Sequence, residues 1–396
     1  MSQPMQTPRA QPGGAAAAVA VVGCGSMGQA LAAVAAAELG PARLHLVDVD
    51  AERTGAAAAA LPAGTEVVRH VGWDSALDGV GTALLALPWD QTERFLAETR
   101  DLPLAAVSIT RPPVRPAPYL PERLRERKGP VLLPVGLEPG LTEILIARAL
   151  RYPHRTDDIE VLCGGVTAER PGGFPYRMLF GGTTLPFARR PAFRIEDGSL
   201  VTGERFSGVC PAALPGLPEL ESYHDGMVPW LQESLGTAGV RIEQRTVRWP
   251  GFAAAVSVLH DSGLLAAEPV DVDGTAVVPR RLTETQLAGR LRRAPAEREV
   301  THVQVTAAGP APGGGRRVRR TGVWCRDDHT ALESGMAVLT AVPAVHAARL
   351  ATALPPGWHR PEAVFDDAST DRLLAALRAF GAHVHDSAHD NGRTSL

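Results

Sequence analysis

The sequence predicts an α/β protein with an N-terminal doubly wound parallel sheet and a second domain of mixed α+β architecture. Three observations support this fold class. The 396 residues exceed what one ordinary core accommodates. Short apolar runs alternate with helical stretches over the first third, and from Ile159 onward shorter strands and loops replace that alternation. The predicted units are a disordered tail at 1–14, a first domain at 15–136 completed by about 334–390, and a second domain at 137–333.

The composition indicates a soluble globular protein, with 45% hydrophobic and 21% charged residues. The net charge of -3 gives no drive toward nucleic acid or anionic lipid, so a small-molecule partner is expected. The four cysteines lack CxxC spacing, which argues against a metal site and a disulfide framework. No signal peptide and no apolar stretch of about 20 residues is evident. We therefore predict a cytoplasmic protein without metal.

The first strand and helix surround a glycine-rich loop. Ala18–Val22 is apolar, Gly23-Cys24-Gly25-Ser26-Met27-Gly28 follows, and an alanine-rich helix continues through Leu39. Gly23 permits a tight turn, Gly25 lets the backbone approach a pyrophosphate, and Gly28 allows close packing of helix on strand. Free N–H groups at the helix start, at Ser26 and Met27, then face the phosphates. This arrangement is typical of the Rossmann dinucleotide-binding fold.

The second strand ends at a carboxylate suited to a ribose. Leu44–Val47 is apolar, and Asp48 follows 20 residues after Gly28 (48 - 28), where a ribose-binding carboxylate is expected. Such a carboxylate favours NAD because it repels the additional phosphate of NADP. Asp50 is the rival, although it also fits the N-cap of a helix through Ala60. Arg53 could still admit NADP.

Further strands are predicted at Thr82–Leu87 and Ala105–Ile109. Leu87 and Pro88, at the end of the first of these, are expected to line the nicotinamide pocket. A proline-rich loop at 110–130 leads to a strand at Val131–Val135. A glycine-bounded turn at 136–143 then opens a helix that continues to Leu150 and directs its N-terminus at the cleft.

The second domain contains shorter strands, predicted at Ile159–Cys163, Ala192–Ile195, Val240–Val247, Val300–Ala307 and Val318–Cys325. Apolar and polar residues alternate from 303 to 307, which indicates a strand with one solvated face. The glycine- and arginine-rich segment 313–320 fits either a basic hairpin turn or an anion site. Helices are predicted at Ser334–Ala353 and Thr370–Phe380.

Four segments together resemble the saccharopine dehydrogenase superfamily, and within it the lysine 6-dehydrogenase branch. They are the glycine loop with Asp48, the sequence GLEPGL at 136–141, YHDG at 223–226 with RWPG at 248–251, and Met336 through Ala344. Their order and spacing make the resemblance stronger than any single segment. It covers about residues 17 to 380.

The resemblance implies a Rossmann domain completed by C-terminal helices and a catalytic domain on a mixed sheet that also supports dimerisation. It further implies an NAD- or NADP-dependent hydride transfer at a carbon–nitrogen bond, and a homodimer or homotetramer. We expect oxidation of an amine or amino acid to an imine and then an aldehyde, or the reverse imine reduction. The alternatives are a saccharopine-type reductase that joins an amino acid to an aldehyde, and a non-catalytic NAD-binding protein.

Candidate site residues follow from that chemistry, because hydride leaves carbon only when the amine is neutral, so a base must accept the ammonium proton. Asp225, beside His224, is the first candidate, and a helix cap next to a surface histidine is the alternative. Glu138 and Glu143 could bind a substrate ammonium or complement a helix dipole. Arg248 could hold a substrate carboxylate or be a solvated arginine.

Other residues of this region indicate packing or a changed substrate. Tyr176 fits either substrate contact or lid packing, as does Trp249, whereas His260 is expected to be structural. The family often has an acidic residue, a histidine and an arginine where this chain has Ser108, Phe252 and Val338, and the loop at 181–187 departs from the family pattern. These differences lie at positions that should touch the substrate, so we expect a compound related to lysine and do not assume lysine itself.

Overall fold

The computed structural model describes residues 18–113, 124, 126–152, 154–179 and 185–391. The predicted tail at 1–14 lies outside the described residues, as does much of the proline-rich loop and of the 181–187 loop. None of the helices in the described ranges is long and apolar enough to cross a bilayer.

The first sheet contains seven parallel strands in the order β3-β2-β1-β4-β5-β6-β17. Its connecting helices are α1, α2 and α3, and the order of the first six strands is that of a doubly wound dinucleotide-binding sheet. The predicted fold class is confirmed for this half. The elements are β1 (Ala18–Val22), α1 (Ser26–Leu39), β2 (Leu44–Val47), α2 (Ala51–Ala59), β3 (Val67–His70), β4 (Val80–Leu85), α3 (Trp89–Glu98), β5 (Ala105–Ser108), β6 (Pro130–Leu132) and β17 (Gly357–His359).

Three predicted strands of the first sheet end earlier than expected, and for β5 the difference is one residue, Ser108 instead of Ile109. β4 ends at Leu85, because Leu87 and Pro88 lie in the turn to α3 and Pro88 is the N-cap of that helix. β6 ends at Leu132 rather than Val135. The carboxyl edge of the sheet is therefore built of turn residues.

The second sheet is mixed and contains nine strands. Its main path is β10-β11-β12-β7-β15-β16-β18, and the hairpin β8–β9 joins it at β12. The pair β12–β7 is parallel and the other pairs are antiparallel, which confirms the predicted mixed sheet. The strands are β7 (Asp158–Thr167), β8 (Pro191–Glu196), β9 (Ser199–Glu204), β10 (Cys210–Ala212), β11 (Leu220–His224), β12 (Arg241–Arg248), β15 (Glu299–Pro310), β16 (Arg316–Arg326) and β18 (His383–Asn391).

Four helices and a small hairpin accompany this sheet. α4 (Leu141–Leu150) leads into it, and α5 (Leu231–Ser234) and α6 (Phe252–Asp261) follow β11 and β12. The hairpin of β13 (Val270–Val272) and β14 (Thr275–Val277) and the helix α7 (Pro279–Arg290) form a protruding segment. We call residues 264–290 the arm.

The chain returns to the first sheet through α8 (Gly335–Ala351), a helix that is almost entirely buried. One apolar core contains Val342 of α8, Leu31 of α1, Val107 of β5 and Val303 of β15. The short helix α9 (Pro361–Val364) and the helix α10 (Asp367–Ala379) follow. The two sheets therefore share a core through α8.

The C-terminal segment corrects part of the predicted domain division. Residues up to about 390 were expected to complete the first domain, and β17 does join the first sheet, but β18 pairs with β16 in the second sheet. β18 satisfies the backbone groups that β16 would otherwise leave open at the sheet edge. Its polar sequence, HVHDSAHDN, carries little apolar alternation that would predict a strand.

Candidate active site

The glycine loop between β1 and α1 leaves room for a phosphate. Gly23 has a φ of +90°, and a Cβ there would overlap the carbonyl oxygen of Ala86. A Cβ at Gly28 would overlap the carbonyl oxygen of Gly23, whereas a Cβ at Gly25 would meet only open space. Two glycines are thus required by packing, and Gly25 faces the space that a ligand would fill.

Helix α1 begins beside that space with its first N–H groups available. Its N-cap, Gly25, provides no side-chain hydrogen bond, and the first turn, with Ser26 and Met27, contains no acidic residue. The hydroxyl of Ser26 donates to Glu333 at 2.5 Å. An uncapped helix N-terminus is suited to a phosphate, so this loop fits a dinucleotide.

Asp48 is held rigidly next to the loop. Its carboxylate accepts hydrogen bonds from the backbone N–H of Cys24 at 2.7 Å and of Asp50 at 3.0 Å. Carboxylate oxygens have further lone pairs, so a ribose hydroxyl can still bind. Asp50 instead caps α2 by accepting from the N–H of Glu52, as predicted, and it pairs with Arg53 at 3.4 Å.

The ends of β4 and β5 lie at the carboxyl edge of the first sheet, beside the glycine loop. We call the space at this edge the cleft. The carbonyl of Leu87 accepts hydrogen bonds from the hydroxyls of Thr110 and Thr92. The Leu87 side chain lies near Gly23, and Pro88 is exposed. Both predicted pocket residues therefore lie at the carboxyl edge of the sheet, beside the glycine loop.

An ion pair links this edge to the second sheet. Arg111, three residues after β5, donates to Glu138 at 3.2 Å and to the carbonyl oxygen of Gly226 at 3.4 Å. Glu138 belongs to the turn before α4, and Gly226 follows β11. Arg111 was not predicted, although its place just after a parallel strand is a signal that could have identified it.

The carboxylate of Asp225 is buried, and both of its oxygens accept hydrogen bonds. Its carboxylate accepts hydrogen bonds from Arg190 at 3.0 Å and from Arg205 and Thr246. Burial alone would raise the pKa of Asp225, but the charges of Arg205 and Arg190 outweigh it and hold that pKa well below the ordinary value. A carboxylate with so low a pKa is a weak proton acceptor, which disfavours Asp225 as the base. Arg190 and Arg205 have no distinguishing sequence signal.

The structure does not bring His224 to the same place as Asp225. His224 pairs with Arg245 across β11 and β12, and its Nδ1 contacts Glu243. Burial lowers the pKa of the His224 imidazole. Successive residues of an extended chain face opposite sides of a sheet, so His224 and Asp225 cannot act as a side-by-side pair.

Glu143 has one free oxygen in a buried environment. Its Oε2 accepts hydrogen bonds from the N–H of Gly140 and the hydroxyl of Thr142, both at 2.6 Å, and its Oε1 has no hydrogen-bond partner among the described residues. Burial, with repulsion from Glu138, raises the pKa of Glu143 to about 7. Glu143 is thus a carboxyl group that titrates near neutral pH.

A second group of buried polar atoms surrounds Arg248. The guanidinium carbon of Arg248 lies 5.5 Å from the Tyr176 ring centroid and 5.7 Å from that of Phe252. Its Nη1 donates to the carbonyl oxygen of Val247 at 2.8 Å, whereas its Nε has no partner among the described residues. The hydroxyls of Tyr176 and Tyr223 are also buried without a partner in that part of the chain. Burial raises the pKa of both phenols, so they remain neutral hydrogen-bond donors.

Small residues make space for this group. A Cβ at Gly164 would lie 2.7 Å from the Nη1 of Arg248, and one at Gly165 would lie 3.0 Å from the Cε of Met336. Cys163, the preceding residue, is fully buried, and burial raises the pKa of its thiol. The indole N–H of Trp249 donates to the carbonyl oxygen of Thr167. The Nε2 of His260 lies 2.7 Å from the carbonyl oxygen of Phe187. Backbone groups therefore hold both side chains, as expected of structural residues.

The single lysine lies away from these groups. Lys128 is exposed, pairs with Asp101 at 3.8 Å and precedes β6, at the opposite edge of the first sheet from the cleft. Proton transfer in the cleft therefore does not use a lysine. Among the described residues, no cluster of three or more His, Cys, Asp or Glu side chains could hold a metal ion.

The parallel sheet, the glycine loop and the cleft define an α/β protein of the dinucleotide-binding class. A family model described as the saccharopine dehydrogenase C-terminal domain matches residues 136–382, more than half of the chain. The chain therefore belongs to this family. A search of curated protein sequences finds no significant match.

Two solved structures share the fold over nearly the whole chain. Saccharopine dehydrogenase (L-Glu forming) from Saccharomyces cerevisiae is 16% identical with a TM-score of 0.74, covering 94% of this chain and 100% of the yeast chain. Homospermidine synthase from Legionella pneumophila, solved with NAD, is 11% identical with a TM-score of 0.58, covering 96% of this chain and 94% of the other. At these identities the likeness concerns the fold.

Proposed function

We propose that the chain is a nicotinamide-dependent oxidoreductase acting on a carbon–nitrogen bond of an amine or amino acid. One observation carries the proposal: buried, unpartnered donors of Tyr176, Tyr223 and Arg248 belong to the second sheet's half of the molecule, and Arg111 joins that half, at Gly226, to the carboxyl edge of the first sheet. Buried polar groups are normally hydrogen-bonded, so their lack of partners calls for a polar ligand. Membership of the saccharopine dehydrogenase C-terminal domain family also supports an oxidoreductase.

The donors near Arg248 suit a substrate carboxylate. A guanidinium and two neutral phenols can all donate hydrogen bonds to a ligand, and carboxylates accept such bonds strongly. At the other side of the cleft, the carboxylate of Glu138 would accept a hydrogen bond from the substrate nitrogen. An amino acid related to lysine, as in lysine 6-dehydrogenases, carries both groups, and we place it first.

Glu143 is our candidate for the proton acceptor. A bound nicotinamide ring supplies the hydride acceptor, and the substrate amine must be neutral before hydride leaves. Asp225 holds its negative charge too strongly for this role, whereas the pKa of Glu143 is about 7 and its Oε1 is free of partners among the described residues. The proton would pass from the substrate nitrogen to that oxygen.

The preferred cofactor in this proposal is NAD, with NADP as the alternative. Asp48 presents its charge where the adenosine ribose would lie, and Arg53 is paired with Asp50. Calorimetry with NAD and NADP tests this choice. We expect Asp48→Ala to weaken NAD binding about tenfold or more, since a charge-assisted hydrogen bond is lost. Asp50→Ala, in the same loop, is the matched control and should bind NAD as the wild type does.

A cofactor absorbance screen tests the reaction. Lysine, ornithine and their cyclic imines would be assayed with NAD and NADP, or with the reduced cofactors for the imines. The expected result is cofactor turnover with at least one of these compounds. A well-folded protein that binds NAD but turns over no amine, amino acid or imine would refute the proposal.

A saccharopine-type reductase is the second candidate. Arg190 is largely buried, and its Nη1 has no partner among the described residues, so the cleft holds an additional cation besides Arg248 and Arg111. Two arginine sites suit two carboxylate-bearing substrates. Initial-rate kinetics distinguish the candidates, because a condensation requires both an amino acid and an aldehyde.

We also infer that the chain forms a homodimer through the arm. Within the described chain the β13–β14 hairpin pairs with no other strand, and α7 has no buried residue. An isolated two-stranded hairpin is marginally stable in water. Apolar side chains exposed on and beside the arm are Val258, Leu264, Val270, Val272 and Leu282.

The charges of the arm favour a second copy as the partner. The hairpin end carries Glu268, Asp271 and Asp273. α7 carries Arg281 and Arg290, and also Arg280, which pairs with Glu284 of the same helix at 3.2 Å. Across a twofold axis the acidic hairpin of one protomer would meet the arginines of α7 in the other, and symmetry would repeat the same contact in the opposite direction. A homotetramer would use a further surface.

A further inference from the structure

A cavity of about 500 Å³ lies against the second sheet, on the face opposite to Asp225. Glu160 and Leu162 of β7 line it, whereas Cys163, the next residue, packs in the apolar core that the two sheets share. Thr246 pairs with Cys163 and donates to Asp225, so both side chains lie on the core face. Because successive residues of a strand face opposite sides of a sheet, the sheet itself separates the cavity from Asp225.

Three strands bring a guanidinium and a carboxyl group to one row on this face. Arg320 of β16 pairs with Thr306 of β15, and Thr306 pairs with Glu160 of β7. All three residues line the cavity. Neighbouring strands lie about 4.8 Å apart, so the backbones of Arg320 and Glu160 are separated by roughly 10 Å. The row therefore has a positive end and a negative end, with a hydroxyl group between them.

Both charged groups of the row are uncommitted. Within the described chain the side chains of Arg320 and Glu160 make no ion pair and no hydrogen bond. The guanidinium groups of Arg241 and Arg245, which are the cations near Glu160, both contact Glu243 instead. Burial raises the pKa of Glu160, and the charge of Arg245 lowers it by less. A ligand cation beside Glu160 would therefore stabilise the charged carboxylate.

Arg320 ends the basic run 313–320, for which the sequence indicates either a hairpin turn or an anion site. The run forms the turn and the start of β16 in the β15–β16 hairpin, which confirms the first of these. Arg316 pairs with Asp157 and Arg319 with Asp386, and Arg317 is not free either. An anion therefore finds an available guanidinium at Arg320 and not along the whole run.

The rest of the lining is mainly apolar. Leu162 and the loop 211–215 contribute to it, and Leu162 and Leu214 belong to one small hydrophobic core. Gln304, two residues before Thr306 on β15, adds an amide group. The cavity thus combines opposite charges with an aliphatic wall, and its volume lies within the range of small-molecule sites.

We propose that this cavity binds a free α-amino acid with an aliphatic side chain, at a site separate from the cleft. The guanidinium of Arg320 holds the carboxylate, and the carboxylate of Glu160 holds the ammonium group. Leu162 and the loop 211–215 pack against the aliphatic side chain. Binding here requires neither the dinucleotide nor the reaction assigned to the cleft.

Cys210 provides a reporter of this site in the wild-type protein. Its thiol lines the cavity, and it is the exposed member of the four cysteines, since Cys24, Cys163 and Cys325 are buried. An alkylating reagent should therefore modify Cys210 first, because accessible thiols react and buried ones are inert. A ligand in the cavity should slow that modification.

Alkylation of the full chain by iodoacetamide, followed by mass spectrometry, tests the site. Leucine and methionine should each slow the modification of Cys210 in a saturable way. Isocaproate lacks the ammonium group of leucine and isoamylamine lacks its carboxylate, so each should protect with an affinity about tenfold or more below that of leucine. Unchanged alkylation with leucine and methionine would overturn the proposal. Protection by isocaproate equal to that by leucine would overturn the amino-acid assignment.

Variants separate this cavity from the cleft. Arg320→Gln and Glu160→Gln should each weaken the protection by leucine about tenfold or more. Arg326→Gln, on the same strand but paired with Asp328, is the matched control and should protect Cys210 as the wild type does. Arg248→Met should also keep the protection. Protection lost in Arg248→Met and kept in Arg320→Gln would place the ligand in the cleft and contradict the site.

Discussion

Arg248 enters a buried space with only part of its hydrogen-bonding capacity used inside the protein. The same is true of Tyr176, Tyr223 and Arg190, each of which has a buried side-chain atom without a partner among the described residues. Leaving a buried donor unsatisfied costs on the order of 1–3 kcal/mol, which a bound carboxylate would recover. The cleft is therefore less stable on its own than with a ligand.

Replacing Arg248 tests the substrate carboxylate. Arg248→Met should raise the KM of a carboxylate substrate by about tenfold to a hundredfold and change kcat less, because the contact is made in both ground and transition states. Steady-state kinetics with the active compound measure this split. Arg43→Met removes an exposed arginine paired with Glu66 and is the control. A loss confined to kcat would contradict carboxylate binding by Arg248.

The pH profile tests Glu143. Its pKa is raised to about 7, so kcat/KM for amine oxidation should rise as pH increases through this value and the carboxyl group loses its proton. Glu143→Gln should abolish that limb of the profile. Glu66→Gln removes the exposed carboxyl that pairs with Arg43 and is the control. If Glu143→Gln lowers activity while the limb persists, Glu143 serves only to cap α4.

Helix α8 depends on a cap from another element. Ser334 accepts a hydrogen bond from the N–H of Ala337 at 3.0 Å, and Glu299 of β15 accepts from the N–H groups of Gly335 and Met336. The other oxygen of Glu299 accepts from Thr301 at 2.9 Å. β15 thereby positions the helix that joins the two sheets.

The stability of the fold should depend on pH through Glu299. Burial raises its pKa from 4.5 to about 7, so between these values the folded chain keeps a proton that the unfolded chain has released. Stability therefore falls as pH rises through that window, by about 3 kcal/mol for this group. Glu299→Gln removes the charge, keeps one oxygen for the N–H groups of Gly335 and Met336, and points an amide N–H toward the Thr301 hydroxyl, as a protonated Glu299 would point its O–H. It should gain stability relative to the wild type between pH 5 and 8.

Thermal unfolding of both proteins across this pH range measures the difference. Glu268→Gln, an exposed carboxyl, should leave the wild-type dependence unchanged. Parallel curves for the wild type and Glu299→Gln would show that Glu299 is ionised throughout.

The C-terminal part of the chain joins the two sheets to each other. The chain leaves the first sheet after β6, builds most of the second sheet, and comes back through α8 to add β17 before β18 closes the second sheet edge. The cleft lies where these crossings meet, with Arg111 contacting Gly226. The arm adds to the buried core only Leu265, with Leu287 packed beside it.

Charge placed on the arm should prevent self-association. We expect the wild type to be a dimer, and Val272→Asp combined with Leu282→Glu to be monomeric, because both side chains are about half exposed in the single chain and would be buried at the interface. Light scattering after size-exclusion chromatography measures the mass. Val209→Asp changes another exposed valine and should remain dimeric. A wild type that is monomeric at every concentration would contradict the dimer.

The local pattern predicted the elements that lead to the cofactor site. The glycine loop, Asp48, the capping role of Asp50 and the helix after the turn at 136–140 all follow from spacing within about twenty residues. The pairing of β15 with β16 was likewise predictable from two apolar runs around a glycine-rich turn. These features could be predicted because backbone conformation and amphipathic period depend on near neighbours.

The contacts around the cleft could not be predicted in this way. Asp225 is paired with Arg205 and Arg190, which precede it by 20 and 35 residues, and this pairing makes a predicted base into a fixed anion. His224 faces the other side of the sheet, and β18 joins a sheet that its own sequence does not indicate. The sequence by itself therefore determined the dinucleotide half and the mixed sheet. The tertiary structure alone decided which side chains are charged, paired or free, because those properties depend on distances and burial between residues far apart in the chain.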